Sequence, residues 1–373
     1  MEQAHLFGQV TKQEWIEKVK KDLKGKNIRD LDWIIAEGLI AEPLAHNEDF
    51  EISSAPQALG DLSNDWLIGD LFDLDQKDEQ INRSLLTALE NGLESPEINL
   101  LRCPTLEDLT LLFKSVHLSY LKPKFSGLQN LEDWTNFLQA FVNYLKLVDQ
   151  DLASTHILIE WDTSLKNTLD LARFLEKELS IKVTFICVDG KKHERVDSDV
   201  IYELAHQLFA FHTKASHLKA NDLSVENLGI KICLGTSYLL EIAKIRALKL
   251  LIGNWTQVSA LPLSLPFIDA ITSSKSLDQE VESNKIRATI QAMAAAIAGV
   301  DRLFILPSDL QTGDSSTAFN KRYSRNVQHI LKMESHLHQV SDPAAGSYYI
   351  EKLTQNLGVK AWEHFLDLRD QAS

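Results

Sequence analysis

The residues able to ligate a metal or attack a substrate are spread thinly along this chain. His206, His212 and His217 fall on or just after one helical stretch and His336-x-His338 in a turn, but none has a nearby cysteine or the His-Glu-x-x-His pattern that zinc chemistry uses. His206 reads as a helix-surface or helix-end residue, and a structural zinc is not expected. The three cysteines, Cys103, Cys187 and Cys233, form no Cys-x-x-Cys pair; Cys187 and Cys233 sit inside apolar runs and read as buried free thiols in a reducing compartment. There is no glycine-rich phosphate loop, no Gly-x-Ser-x-Gly elbow and no nucleophile with an evident base. The run Lys18, Lys20, Lys21, Lys24 and Lys26 could hold phosphate, but acidic residues interleave it and it reads as a solvated helix face. What remains is a set of charged residues directly after apolar runs: Glu160-Trp161-Asp162, Gly190-Lys191-Lys192-His193, and Lys275 in Ile271-Thr-Ser-Ser-Lys275. In α/β proteins, loops that follow strands are where chemistry is kept.

The elements that position these loops alternate. Strand Asp65–Gly69, a helix around 81–89 and strand Asn99–Cys103 make one β-α-β unit. Thr105 caps the next helix, Lys122–Gly127 reads as a loop, and a long amphipathic helix carries Trp134, Leu138, Phe141 and Leu145. Strand His156–Glu160, helix Leu165–Leu179, strand Val183–Val188, strand Ile230–Leu234, helix Leu239–Leu251 and the apolar segment Leu263–Ile271 continue the pattern. After Ser283 and Asn284, possible caps, a helix places Ile286, Ile290, Met293 and Ile297 on one stripe and ends at Gly299. Strand Leu303–Leu306 follows, and a helix after Ser315 and Ser316 carries Phe319, Tyr323, Val327, Ile330 and Leu331. Ser341–Glu351 then forms a turn punctuated by Pro343 and Gly346, with Asp342 able to bond back to the turn and Tyr348–Ile350 as strand-forming or packing residues. Strands alternating with helices and no low-complexity linker predict an α/β fold, one parallel TIM (β/α)8 barrel.

Three of these segments carry a resemblance. Asn284-Lys-Ile-Arg287-Ala-Thr-Ile-Gln-Ala-Met-Ala-Ala, Tyr323-Ser-Arg-Asn326-Val-Gln-His-Ile-Leu and Asp342-Pro-Ala-Ala-Gly346-Ser-Tyr-Tyr349 resemble, in order, the closing part of the methylmalonyl-CoA mutase barrel. Phe7–Leu44, with Trp15, Lys21–Lys26, Leu31-Asp-Trp33, Glu37-Gly38-Leu39 and Pro43-Leu44, is similar to the opening of that family's bacterial chains, especially the small subunit of heterodimeric mutases. The resemblance implies an extended amino-terminal arm over residues 1–50 that contacts a partner through Trp15, Trp33 and Ile34, and a mutase-like barrel over 51–373.

The resemblance also says where active-site residues ought to stand. Matching Glu203-Leu-Ala205 to the family helix puts Gly190 in register and Lys191-Lys192 where active chains carry Tyr-His; a register shifted by one residue would bring His193 there instead. Glu160-Trp161-Asp162 stands where Gln-Asn-Asp is expected, and Ile271–Lys275 lacks the expected His and Gln. No catalytic residue is therefore expected; Glu160, Asp162, Lys192, His193 and Lys275 are degenerate substrate-binding candidates, and extra carboxylate at Glu160 should repel an anionic thioester. The family's cobalamin-ligating Asp-x-His-x-x-Gly motif does not occur in the sequence. The expectation is a barrel chain with no cobalamin-binding domain, with adenosylcobalamin in the partner, the large subunit of the mutase, and weak acyl-CoA binding still open. Two other readings stand beside it: an acyl-CoA mutase chain with its own isomerase activity that borrows a partner's cobalamin domain, and an unrelated barrel enzyme.

Composition sets the remaining bounds. The 373 residues suffice for one barrel and an extension, and 44% hydrophobic residues suffice for its core. A formal net charge of −15 opposes nucleic acid or an anionic membrane as partner. Met1-Glu2-Gln3-Ala4-His5 has neither the basic start nor the apolar core of a signal peptide, and no apolar run approaches a membrane span, so a cytoplasmic location is expected.

Overall fold

The structure, a computed structural model, describes residues 8, 10–36, 39–50, 64–75, 79–148, 155–160, 181–194, 199–220, 228–260, 265–312 and 317–372. Its centre is a closed barrel of eight parallel strands: β3 (Leu67–Leu74), β4 (Ser95–Leu100), β5 (Lys124–Ser126), β6 (His156–Glu160), β7 (Lys182–Asp189), β8 (Leu228–Leu234), β9 (Phe267–Thr272) and β10 (Arg302–Phe304). Sequence order is spatial order, and β10 closes the ring by pairing with β9 (Arg302↔Asp269) and with β3 (Arg302↔Leu67). All seven residues of β8 are buried, as a strand with the lumen on one face and helices on the other must be.

Helices α2 (Glu79–Glu90), α3 (Leu106–Leu112), α4 (Leu131–Leu147), α5 (Val200–Lys219), α6 (Tyr238–Val258), α7 (Val281–Ala298) and α8 (Ala318–His329) surround the barrel among the described residues, and α9 (Tyr348–Ala372) lies along α5 and α6. Packed between the barrel wall and α9, α6 is buried nearly all round, Arg246 and Lys249 included. Thr105 and Asp108 form the expected capping box at α3, and α7 stops at Gly299, whose φ of 76° suits a residue without a side chain.

Before the barrel, α1 (Lys12–Asp22) starts at the Thr11/Glu14 capping box, and β1 (Trp33–Ala36) and β2 (Leu39–Ala41) form an antiparallel hairpin. Ile16, Val19 and Leu23 on the apolar stripe of α1 are only half-buried. Lys12 bonds Asp49 at 2.6 Å and Glu42 at 2.9 Å, and Lys352 of α9 bonds Glu42 at 3.0 Å, tying this region to the barrel's last helix. Ile35 and Leu39 are buried there, whereas Trp33 and Ile34 remain 37% and 73% exposed.

Five local expectations are corrected. The strand expected at Asn99–Cys103 is β4, Ser95–Leu100; Pro96 hides its start, and Leu101 beyond its end is exposed. Lys122–Gly127 is not simply a loop, because β5 lies inside it with Lys124 and Ser126 facing a polar lumen, so that no apolar run marks the strand. Helix α7 starts at Val281, so Asn284 is fully buried inside it rather than a cap, and its core face is Ala288, Gln291, Ala292 and Ala294–Ala296. Ile286 and Ile290 of the expected stripe are exposed, because only alanines permit the close approach of α7 to the barrel wall. On α8, Val327 is buried while Phe319 is exposed, as are Ile330 and Met333 just beyond the helix; Thr317 is the cap, Ser315 and Ser316 lying outside the described residues. Tyr348–Ile350 opens a helix, and helix Leu165–Leu179 lies outside the described residues.

Candidate functional site

The barrel lumen is the natural place for a site, and six charged side chains fill its middle. Lys124 of β5 reaches Asp269 of β9 and Glu160 of β6, each at 2.6 Å, and Glu97 of β4 at 3.2 Å. Arg302 of β10 holds Asp269 at 2.7 Å and Glu97 at 3.3 Å, and donates to Ser95 Oγ at 3.0 Å. Lys231 of β8 donates to both oxygens of Glu160, at 2.8 and 3.0 Å, and Ser126 donates to Glu97 at 3.0 Å. Lys124, Lys231 and Arg302 thus face Glu97, Glu160 and Asp269, three cations against three anions.

Burial alone would lift the Glu97 carboxyl, but Lys124, Lys231 and Arg302 overrule it and hold it well below the usual carboxylate range. Likewise burial would lower the Lys124 ammonium, and Asp269, Glu160 and Glu97 instead hold it well above its ordinary value. Lys124 is thus no neutral amine for nucleophilic attack, and Glu97 no carboxyl poised near neutrality.

Because side chains two apart on a strand share a face, the next layer toward the strand ends comes from Cys233, Ile271 and Phe304, and these pack with Leu71, Leu277 and Leu306 into an apolar cluster of their own. On these three strands charged side chains are followed by apolar ones, all buried. Among the described residues these side chains stand over the charged layer on β8, β9 and β10.

The residues nominated from sequence are dispersed. Glu160 is in the lumen, where Lys124 and Lys231 neutralise it, so the repulsion expected of its charge is offset by two cations. Lys191 and Lys192 are exposed in a 3-10 turn directly after β7, with the Lys191 amide bonded to Asp189. The turn needs Gly190: a Cβ there would lie 2.4 Å from the Lys231 carbonyl oxygen. His193 lies 5.5 Å from the ring of His206 on α5, which stacks on Tyr202 at 3.7 Å and lies 5.6 Å from His364 of α9, so it belongs to an outer aromatic group. Lys275 bridges the loops after β9 and β7 by bonding the Glu194 carbonyl at 3.1 Å. Asp162 lies outside the described residues. Trp15 is half-buried on α1, and Trp33 and Ile34 are on the exposed hairpin. Among the described residues no group of three or more His, Cys, Asp or Glu could hold a metal ion.

Glu97, Lys124, Lys231, Asp269 and Arg302 escaped sequence reasoning. For Lys231 and Asp269 the signal was a single charge within an apolar run, Gly229-Ile-Lys231-Ile and Phe267-Ile-Asp269-Ala, whereas no apolar run marks Lys124.

The motif residues that suggested a family hold elements together. Asn284 bonds the backbone of Asp278 and Ser308, Arg325 of α8 pairs with Asp70 of β3, and Arg246 clamps the final turn by gripping Asp342 at 2.9 Å and Glu351 at 2.8 Å. Asp342 adopts a left-handed φ of 42° in that turn.

Comparison with known proteins gives a consistent result. The family model described as methylmalonyl-CoA mutase matches residues 148–372. The methylmalonyl-CoA mutase small subunit of Porphyromonas gingivalis is 27% identical over 403 residues, which is 98% of this chain and 63% of that one. The methylmalonyl-CoA mutase small subunit of Streptomyces virginiae is 37% identical over 35% of this chain and 21% of that one, and the methylmalonyl-CoA mutase of Cereibacter sphaeroides is 31% identical over 54% and 29%. The chain therefore spans less than two thirds of the length of these relatives. No described helix is long and apolar enough to cross a membrane.

Proposed function

The chain belongs to the methylmalonyl-CoA mutase family, and from that premise we propose that it is the small subunit of a cytoplasmic, adenosylcobalamin-dependent mutase, a non-catalytic barrel supporting a large subunit that interconverts methylmalonyl-CoA and succinyl-CoA. The observation that carries this reading is the filled lumen. Differential stabilisation of a rearranging substrate needs groups that are free to meet it, and here Lys124, Lys231, Arg302 and their carboxylates meet one another. Above them Cys233, Ile271 and Phe304 occupy the path an acyl chain would take. Those residues do not fit a substrate beneath a corrinoid, and this reading assigns adenosylcobalamin to the partner. The exposed hairpin supplies the docking surface, with Trp33 and Ile34 as apolar anchors.

The test is reconstitution. Co-purified with the large subunit, this chain should support turnover that is unchanged by Lys191→Ala/Lys192→Ala, which alters only exposed side chains at the family's Tyr-His position. Turnover of methylmalonyl-CoA by this chain alone with added adenosylcobalamin would overturn the proposal.

A further inference from the structure

A second concave feature lies outside the lumen. Where α2 and α8 flank the barrel seam, a cleft of about 850 Å³ opens over β3, a volume in the range of small-molecule sites. Arg83 of α2 and Lys321, Arg322 and Arg325 of α8 line it, against the carboxylates of Asp70 and Asp73. Both carboxylates are engaged, Asp70 by Arg325 and Asp73 by the Asn99 amide at 2.7 Å. Among the described residues four cations and two anions line the cleft, in a chain whose net charge is −15.

Two further observations point to a ligand. Arg325 is 8% exposed, and its Nε has no hydrogen-bond partner, an unsatisfied donor in a group that normally uses its whole fork. The first residue of α8, Ala318, also lines the cleft, so the amino end of a helix following the eighth barrel strand borders it, with the Asp309 carboxylate already accepting from the Thr317 amide at 2.8 Å. That end carries partial positive charge, and barrels of this class often bind phosphate near their last strands.

We propose that this cleft binds a small anion bearing two or more phosphate groups. Several guanidinium groups spread over a cleft this large suit a polyphosphate, whose oxygens accept paired donors, better than a single carboxylate. Phe319 at the rim is 56% exposed, with Arg322 5.9 Å from its ring, and offers a surface for a base if the phosphates belong to a nucleotide. The cleft borders the lumen's apolar cluster through Leu71, but none of its cations belongs to the lumen's charged layer, so it stands whether or not the barrel is catalytic.

Calorimetric titration of the full chain with pyrophosphate, ADP and citrate is the test. Pyrophosphate should bind saturably at millimolar concentration or below, and added salt should weaken it. Arg83→Gln/Arg322→Gln should weaken it at least about tenfold; both side chains are exposed, and an unchanged thermal midpoint would verify the fold. Tighter binding of ADP than of pyrophosphate assigns the phosphates to a nucleotide, and equal binding assigns them to an inorganic or sugar polyphosphate. Absence of saturable binding by both phosphates, citrate binding as tightly as pyrophosphate, or affinity unchanged in the double variant would each overturn the proposal.

Discussion

Replacing Lys124 with methionine removes the cation that touches all three lumen carboxylates while nearly preserving volume. Lys124 is fully buried and sits 2.6, 2.6 and 3.2 Å from Asp269, Glu160 and Glu97. Breaking a buried ion pair from one side costs about 3–5 kcal/mol, because the partner is left charged and unpaired. In Lys124→Met, Lys231 still covers Glu160, but Arg302 alone must cover both Glu97 and Asp269, one anion in excess. The expected loss at pH 7 is therefore about 4 kcal/mol, a large part of the roughly 5–15 kcal/mol that stabilises an ordinary protein. The pH dependence should also change sign. In the native chain the lumen carboxylates have lowered pKa values, so their contribution is complete above the ordinary carboxylate range and lost only as pH falls through it. In the variant, the surplus carboxylate should titrate above its unfolded value, so stability should rise as pH falls from 7 toward 5. Urea unfolding at several pH values reads both effects, and Lys124→Met/Glu97→Gln should recover about half the loss by removing the surplus charge. A loss below about 1 kcal/mol with no reversed slope would refute the account of the lumen as a charge-balanced plug.

Three further outcomes can be checked. Burial holds the imidazole of His156, bonded to Thr184 at 2.9 Å, down to about 4, so the stability it confers is complete above its ordinary 6.5 and declines as pH falls; between pH 6.5 and 5 the native chain should lose up to about 2 kcal/mol that His156→Gln does not. In the final turn, Asp342→Asn should cost about 2 kcal/mol through loss of the charged partner of Arg246, and Asp342→Ala about 1 kcal/mol more, since asparagine tolerates the left-handed backbone better; equal costs would remove the conformational part of the argument. Trp33→Ser/Ile34→Ser should weaken association with the large subunit at least about tenfold while moving the chain's own unfolding midpoint little, because both side chains are exposed; unchanged association in sedimentation would discount the hairpin as an interface.

The barrel was legible because its outer strand faces and most helices obey ordinary hydrophobic periodicity: Trp134, Leu138, Phe141 and Leu145 on α4 are all buried. Periodicity misled where packing depends on smallness. On α7 the large residues Ile286 and Ile290 gave the clearest stripe, yet the alanines face the barrel and leave those isoleucines to solvent. It also failed at β5, whose three residues are too few to show alternation and whose inward positions are Lys124 and Ser126. The lumen was hidden for a related reason. A lone charge in an apolar run identifies a buried ion, but not its partner, and pairing Lys124 with Asp269, 145 residues away, requires the closed ring.

Charge balance bears on what the lumen is for. A binding site ordinarily keeps polar groups whose partners arrive with the ligand, whereas a scaffold interior must satisfy its own. Among the described residues, no side-chain nitrogen or oxygen of Glu97, Lys124, Glu160, Lys231, Asp269 or Arg302 is buried without a hydrogen-bond partner. Such an atom does occur at the seam between β3 and α8, where the Arg325 Nε donor is left over. Self-sufficiency at the axis and unsatisfied capacity at the seam together favour a barrel that serves as a scaffold through its interior and meets small anions from its side. The two assignments have separable consequences: Lys124→Met should alter stability and its pH dependence, while Arg83→Gln/Arg322→Gln should alter anion affinity and leave stability in place.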